Sequence, residues 1–271
     1  MRIFVVAPDY THQSGGVEAL HYLMYLLQRA GYEVITTAKV FNPRYDLKPA
    51  YRSLPVKSDD MIIAPEVNFL DSIYHLELPV LRWVLYFVGV HDGPAEYPEC
   101  EIVYHYQKNF KETAVKAAFN RKSREFFLPH LLKEDFELKD EIVRGEGDLY
   151  FVHKGTNMKT HPRSAVEINR ENTATRQQYL RLLREYKTLY CYDRNTFLLV
   201  EAHVSGMNVL QWDYDNNRWE TFVLCCDEFR NYRRDTRAAK RLINDFKFQV
   251  AINRIKRKYR AIKSLLKRHT R

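Results

Sequence analysis

The first forty residues combine an apolar strand pattern, a glycine pair and an amphipathic helix pattern, and this order limits the fold more than any other feature. Residues 2–7 read as a buried strand, and Gly15-Gly16 opens a segment whose apolar residues recur at helical spacing. Gly31 can end this helix, and residues 32–38 return to a strand pattern. Because a strand–helix–strand unit of this length joins parallel strands, the sequence predicts an α/β fold.

The same alternation returns on a smaller scale in the second half of the chain, where strand patterns at 148–153 and 188–192 are followed by helix patterns. A charged, glycine-containing tract at 133–147 is typical of a domain junction. We therefore expect an N-terminal domain over residues 1–138 and a shorter second domain over residues 139–225.

Positive charge is concentrated at the C-terminal end. The 271 residues carry a formal net charge of +9, whereas residues 229–271 contain sixteen Lys or Arg and two acidic residues, a net of +14, which leaves −5 for residues 1–228. Apolar residues recur in the basic segment at alternating spacings of four and three: Phe248, Ile252, Ile255, Tyr259, Ile262 and Leu266. The spacing predicts a long basic amphipathic helix within a third region, residues 226–271.

Several protein classes are disfavoured by the apolar runs and the cysteines. The run at residues 3–7 is too short for a secretory signal, and the longest later run, residues 78–90, falls short of the roughly 20 residues that a membrane span needs. The four cysteines have neither zinc-site spacing nor a CxxC pattern: Cys100, Cys191, Cys225 and Cys226. We expect a cytoplasmic protein with reduced thiols.

Ligands of doubly wound sheets bind beyond the carboxyl ends of strands, so the loops there are the candidate sites. The first loop places Gly15 and Gly16 at a helix N-terminus, where backbone amides can approach an anion; a purely structural turn is the alternative. A later loop holds His91 and Asp92 directly after a strand predicted over residues 81–90. This pair suits a general base or a hydroxyl ligand, and a simple turn stabilised by Asp92 is the alternative.

A third loop follows the strand pattern at 148–153 and contains Lys154, Gly155 and Thr156. Lysine followed by glycine at a strand end is placed to contact a diphosphate, and a solvated surface lysine is the alternative. The spacing differs from that of a P-loop, which disfavours nucleoside triphosphate hydrolysis.

A fourth loop holds Asp193, with Asn195 or Thr196 as the expected N-cap of a helix that contains Glu201. In that geometry Asp193 and the amides of Asn195 and Thr196 lie at the helix N-terminus, where phosphate or ribose can bind. The alternative is that Asp193 only caps the helix and Glu201 is a solvated charge.

The order of these loops resembles that of glycosyltransferases of the GT-B type. The resemblance rests on Gly15-Gly16-Val17-Glu18, His91-Asp92, Lys154-Gly155, and the acidic pair Asp193 and Glu201 separated by seven residues, and it covers most of residues 1–215. Asp193 stands where glutamate is usual. The resemblance implies two Rossmann-like domains facing across a cleft, the second one short, in addition to the long basic C-terminal helix.

The resemblance also implies roles for these residues. Glu201 would bind the ribose of a nucleotide sugar of UDP or GDP type, Asp193 would contact the donor sugar, and Lys154 would hold the diphosphate. Arg170, or alternatively Arg163, would replace the arginine that usually accompanies this lysine, and the remaining donor contacts are assigned to Gly15, Gly16, Gly155, Thr156, Asn195 and Thr196. His91, Asp92 and Asp193 are the candidate catalytic residues. The family generally uses side chains rather than a metal on the leaving group, so we expect no metal and no cofactor beyond the donor.

The function expected on this basis is sugar transfer to an acceptor hydroxyl in the synthesis of a cell-surface polysaccharide or lipid-linked glycan. The basic segment 245–271 would bind the anionic inner face of a membrane. The alternatives are that it binds nucleic acid or that it packs against protein. A DNA-modifying glycosyltransferase and a non-catalytic nucleotide-sugar-binding or scaffold protein are the alternative functions.

Overall fold

A computed structural model describes residues 1–47, 56–67, 77–119, 121–129, 131, 135, 144–224 and 229–269, with side chains as far as Arg260. The chain forms two compact units. Unit 1 consists of Met1–Thr11, Gly16–Leu128 and Asn231–Arg271, and unit 2 consists of His12–Gly15 and Pro129–Arg230.

Unit 1 is built on a six-stranded sheet in which every neighbouring pair of strands is parallel. Its strands are β1 (Arg2–Val5), β2 (Glu33–Thr36), β3 (Met61–Pro65), β4 (Val80–Val84), β5 (Ile102–His105) and β6 (Arg124–Glu125). Its helices are α1 (Gly15–Arg29, whose first residue belongs to unit 2) and α2 (Lys111–Ala117), the latter preceded by a 3-10 turn at Lys108–Phe110. The strand order β2-β1-β3-β4-β5-β6 reverses direction between β1 and β3.

The core of unit 1 lies on the apolar strands and on α1, in which six consecutive residues, 19–24, are buried. Strands β1, β3 and β4 are buried along their whole length, as expected for strands of a parallel sheet that is covered on both faces. Gly31 ends α1 in the left-handed conformation, with φ of 87°, as the sequence predicts.

Unit 2 is built on a mixed five-stranded sheet in the order β11-β10-β9-β7-β8. Its strands are β7 (Asp148–Phe151), β8 (Val166–Glu167), β9 (Thr188–Cys191), β10 (Asn208–Asp213) and β11 (Arg218–Thr221), and its helices are α3 (Arg176–Glu185) and α4 (Leu198–Val204). Only the β10–β11 pair is antiparallel. The predicted α/β class is therefore confirmed.

The last helix, α5 (Tyr232–His269), is assigned to unit 1. The sequence predicts helix after Trp219, but residues 218–221 form β11 and the helix begins at Tyr232. The units also divide the chain differently from the expected domains, because 231–271 returns to the first unit rather than forming a third region. The expected boundary residues 138, 139, 225 and 226 lie outside the described residues. No helix in the described part of the chain is long and apolar enough to cross a membrane.

Candidate functional site

The strand order of the five-stranded sheet reverses between β7 and β9, because β8 lies on one side of β7 and the remaining strands extend from the other. At such a reversal the two loops at the carboxyl ends of the strands leave a crevice in which ligands of doubly wound sheets bind. Here these are the loop at 152–157 after β7 and the loop at 192–197 after β9. They contain most of the residues that the sequence predicts for donor binding.

Gly155 allows these two loops to lie in direct contact. A Cβ atom at this position would collide with the carbonyl oxygen of Tyr192 and would lie 2.8 Å from the hydroxyl of Tyr214. That hydroxyl donates to the carbonyl of Tyr192 at 3.0 Å and accepts from the amide of Thr156 at 2.7 Å. Gly155 is thus required for the packing of the crevice wall.

His153 and Asp193 meet at this edge of the sheet. Nδ1 of His153 lies 3.3 Å from Oδ2 of Asp193, and Oδ1 of Asp193 accepts from the amide of Asn195 at 3.0 Å. The Asp193 side chain is buried, whereas the imidazole is half exposed. The pair therefore combines a buried carboxylate, fixed by its own loop, with an imidazole that solvent can reach.

The strand pattern predicted over residues 148–153 runs through His153 and gives no indication of its role at the site. The structure ends β7 at Phe151 and gives His153 a left-handed backbone, with φ of 37°, which is uncommon for a residue other than glycine. Two features of the sequence could have indicated His153: it directly precedes the lysine-glycine pair, and it follows the last apolar residues of the strand.

The Cys191 thiol supports the backbone of the Asp193 loop. Its Sγ donates to the carbonyl oxygen of Asp193 at 3.3 Å, and burial raises the pKa of the thiol, so it stays protonated and able to donate at neutral pH. The cysteine is a structural group here rather than a reactive one.

Lys154 and Thr156 are exposed on either side of Gly155, as the prediction of a diphosphate contact requires. Arg170 is also exposed, in the turn that follows β8, and its carbonyl oxygen lies 3.5 Å from Nε2 of Gln13. The same amide nitrogen of Gln13 donates to the carbonyl of Thr173 at 3.0 Å. The turn at 169–173 is therefore tied to the segment that precedes α1.

The two glycines of that segment belong to different units. Gly15 lies in unit 2, where a Cβ atom would come within 2.5 Å of the ring of Phe197, next to the predicted residues Asn195 and Thr196. Gly16 lies in unit 1, where a Cβ would make ordinary contact, at 3.7 Å, with Leu85. The structure thus brings Gly15 to the loop at 192–197.

The expectation that Asn195 or Thr196 is the N-cap is wrong. Helix α4 begins at Leu198 and its N-cap is Phe197, which has no side-chain capping bond. Oγ1 of Thr196 instead accepts from the amide of Leu198 at 3.3 Å, and Asp193 accepts from the amide of Asn195, so these side chains satisfy amides within a two-residue turn. The amides are consequently less open than a helix N-terminus would leave them.

Glu201 lies in the first turn of α4 and is buried. Its Oε1 accepts from Nη2 of Arg176 at 2.7 Å, and its Oε2 accepts from the hydroxyl of Tyr179. Arg176 also pairs with Asp135 at 2.9 Å, and its guanidinium lies 5.0 Å from the Tyr179 ring centroid. Burial and the neighbouring carboxylate raise the pKa of Tyr179, so its hydroxyl remains a donor. Both carboxylate oxygens of Glu201 therefore have partners within the chain.

The loop with His91 and Asp92 does not directly follow a strand. The expected strand over residues 81–90 ends at Val84, and the chain then turns, with Gly89 at φ of 85°. Both side chains are exposed, and the His91 ring lies 5.6 Å from the ring of Tyr86. The strand ends early because Leu85 donates its amide to the carboxylate of Glu66, at 2.8 Å.

Within the described residues, no group of three His, Cys, Asp or Glu side chains is arranged to hold a metal ion. The candidate site is defined by the loops at 152–157 and 192–197, and its charged side chains and imidazole are Lys154, Asp193, Arg194 and His153. Arg194 lies 3.8 Å from the carboxylate of Asp215. The chain matches no protein-family model and no curated protein sequence.

Proposed function

We propose that this chain is a glycosyltransferase of the GT-B type that transfers a sugar from a nucleoside diphosphate, of UDP or GDP type, to a hydroxyl of a glycan or lipid-linked acceptor. The observation that carries the proposal is the meeting of His153, Gly155 and Asp193 where the strand order of the five-stranded sheet reverses. A crevice with a buried carboxylate, an accessible imidazole and an adjacent lysine suits a phosphorylated sugar better than an apolar ligand.

In this proposal Lys154, Thr156 and the backbone of Gly155 bind the diphosphate. Transfer leaves negative charge on that group, and stabilising charge as it develops is usually the largest electrostatic contribution to catalysis. Lys154 is exposed directly beside Gly155, so its ammonium group can reach a diphosphate in the crevice. His153 adds an exposed imidazole beside Lys154, and Asp193 holds its ring in place.

Glu201 is the proposed ribose ligand, and its contacts specify how it would act. Because Arg176 and Tyr179 bind its two oxygens, a ribose hydroxyl must replace one of them or share an oxygen. Tyr179 is the partner to be replaced, since Arg176 carries a charge that is largely buried and needs the carboxylate.

The direct test is a thermal-shift screen against a panel of nucleotide sugars, followed by measurement of donor hydrolysis and sugar transfer. Lys154→Ala should abolish most of the stabilisation by the donor that is found, because one charge contact to a diphosphate is lost. Lys187→Ala is the matched control, since this exposed lysine of unit 2 pairs with Glu146 on the surface.

Stabilisation by no nucleotide sugar would contradict the proposal, as would full transfer by Lys154→Ala. Binding of a nucleotide sugar without hydrolysis or transfer to any acceptor would instead identify a non-catalytic binding protein.

A further inference from the structure

Helix α5 is packed on one face in its first half and exposed on the opposite face in its second half. The apolar residues buried in the first half are Ala239, Leu242, Ile243 and Phe246. The large apolar side chains exposed in the second half are Phe248, Ile255 and Tyr259, at 62%, 68% and 66% of their surface. The second set therefore has no cover within the described part of the chain.

The two sets lie on opposite sides of the helix. An α-helix turns about 100° per residue, so Phe246 and Phe248 differ in direction by about 200°. Ile255 and Tyr259 fall within about 20° of Phe248, and Ile243 falls within about 60° of Phe246. The exposed stripe is thus not an extension of the face that packs on the sheet, and continued packing of the helix cannot bury it.

Two hydrogen bonds fix the direction of the packed half. The hydroxyl of Tyr22 donates to Asp235 at 2.7 Å, and the hydroxyl of Tyr104 donates to Asp245 at 2.5 Å. Arg124 adds an ion pair to Asp245. These contacts hold the packed half of α5 on α1, β5 and β6.

The charge around the stripe indicates what covers it. Residues 247–269 contain nine Lys or Arg and no acidic residue. Lys256 and Lys258 are exposed and lie about 80° to either side of the stripe. In a parallel pair of such helices these lysines would face like charges, which disfavours a second copy of the chain. Nucleic acid would satisfy the charges but would leave Phe248 and Ile255 without an apolar partner.

An anionic lipid surface satisfies both features, because headgroups attract the lysines and the acyl boundary accepts the apolar side chains. We propose that residues 247–269 lie in the plane of an anionic membrane, with Phe248, Ile255 and Tyr259 inserted and the flanking lysines at the headgroups. This segment of 23 residues is about 35 Å long. The inference does not depend on whether the five-stranded sheet binds a nucleotide sugar.

Vesicle flotation with the full chain tests the proposal. Vesicles of phosphatidylglycerol with phosphatidylcholine should bind the protein, and vesicles of phosphatidylcholine alone should bind it far less. Phe248→Ser with Ile255→Ser should weaken binding about a hundredfold, because two inserted side chains are lost. Lys256→Gln with Lys258→Gln should weaken it about thirtyfold at low ionic strength and less at high salt.

Two control variants remove the same kinds of side chain, either charged or apolar, at positions outside the exposed stripe. Lys240→Gln with Arg241→Gln removes two exposed charges from the packed half of α5, and Val40→Ser with Val223→Ser removes two exposed apolar side chains outside the helix. Both controls should retain binding. Since every altered residue is exposed, thermal melting should show that all variants fold.

Three results would overturn the proposal. The first is absence of binding to anionic vesicles, or binding that the Phe248/Ile255 variant retains. The second is a dimer, measured by light scattering, that this variant dissociates while vesicles are not bound. The third is retention of duplex DNA that only the Lys256/Lys258 variant loses, again without vesicle binding.

Discussion

Nδ1 of His153 lies 3.3 Å from Oδ2 of Asp193, although forty residues separate them in the chain. They meet because each follows the carboxyl end of a parallel strand, and β7 and β9 are neighbours in the sheet although β8 and α3 intervene in sequence. The reversal of strand order therefore brings the two side chains together.

This pair predicts the effect of removing the Asp193 charge. Asp193→Asn should lower kcat about a hundredfold with the donor identified by the thermal-shift screen, because the imidazole loses its orienting carboxylate. Donor Kd should change much less. His153→Gln should cause a similar loss, and the double variant should be no worse than either single one, since the two act as a unit. If steady-state kinetics show full turnover by Asp193→Asn, Asp193 does not act by orienting the imidazole of His153.

Gly155→Ala should disturb the crevice itself. The new methyl group would collide with the carbonyl of Tyr192, so the loop at 152–157 must shift, at a cost of about 1–3 kcal/mol in the free energy of unfolding. Donor binding measured by calorimetry should weaken about tenfold or more. Ser164→Ala, an exposed residue of the same unit, should leave both quantities unchanged. Equal donor affinity in Gly155→Ala would show that the close approach of the loops is not needed.

Gly15 and Gly16 should respond oppositely to alanine. Gly15→Ala places a methyl group against the ring of Phe197, whereas Gly16→Ala meets Leu85 at ordinary contact distance within a helix. We expect Gly15→Ala to lower the free energy of unfolding by about 1–3 kcal/mol and Gly16→Ala to raise it by about 0.5–1 kcal/mol. Denaturant titration of the two variants checks this difference, and the same sign for both would contradict it.

Glu201→Gln should destabilise unit 2. The change leaves the largely buried guanidinium of Arg176 with Asp135 as its remaining carboxylate, and breaking such a pair costs about 3 kcal/mol. Glu220→Gln removes an equally charged group from the exposed pair with Arg218 and should cost less than about 1 kcal/mol. Urea unfolding monitored by circular dichroism distinguishes them. A loss of donor affinity without loss of stability would assign Glu201 to the ribose alone.

Asp60 should contribute to stability in a pH-dependent way. Burial acts to raise its pKa, but the hydrogen bonds from Arg2 and from the amide of Lys57 outweigh burial and lower the pKa. The contribution is therefore complete above the unfolded-state pKa of about 3.9 and is lost as the pH falls through the lower folded-state value. Asp60→Asn should cost about 3 kcal/mol at neutral pH. Its free energy of unfolding, measured from pH 7 to pH 3, should fall less steeply than that of the unaltered chain.

The sequence predicts best those elements whose apolar residues recur with a regular period and which are followed by a terminating glycine. Helix α1 ends where Gly31 predicts, and α4 ends before Gly206, which has φ of 83°. The polar turn that contains Asp215 is recognisable in the sequence, yet the strand that follows it, β11, is missed because its residues alternate too weakly. Strand β6 is only two residues long and depends on its pairing with β5.

The errors at the candidate site have a common cause, which is that tertiary contacts decide where a strand or helix stops. The apolar run after Val84 reads as strand in sequence, but the carboxylate of Glu66 binds the amide of Leu85 and the ladder ends there. Likewise His153 continues a strand pattern, and its left-handed backbone cannot be recognised without the loop around it. The types of residue at the site were predictable, and their exact geometry was not.

In α5 the packed side chains and the exposed stripe lie on opposite sides of the helix. The direction of the stripe about the helix axis can therefore be changed without changing the packed half. One residue inserted between Phe246 and Phe248 would leave the packed half untouched and would swing everything beyond it by about 100°. The tilt at which the body of the protein meets a surface would then change, whereas the contacts of Asp235 and Asp245 and the buried residues up to Phe246 would be kept. The three residues from Phe246 to Phe248 thus set the orientation of the folded unit relative to the exposed stripe.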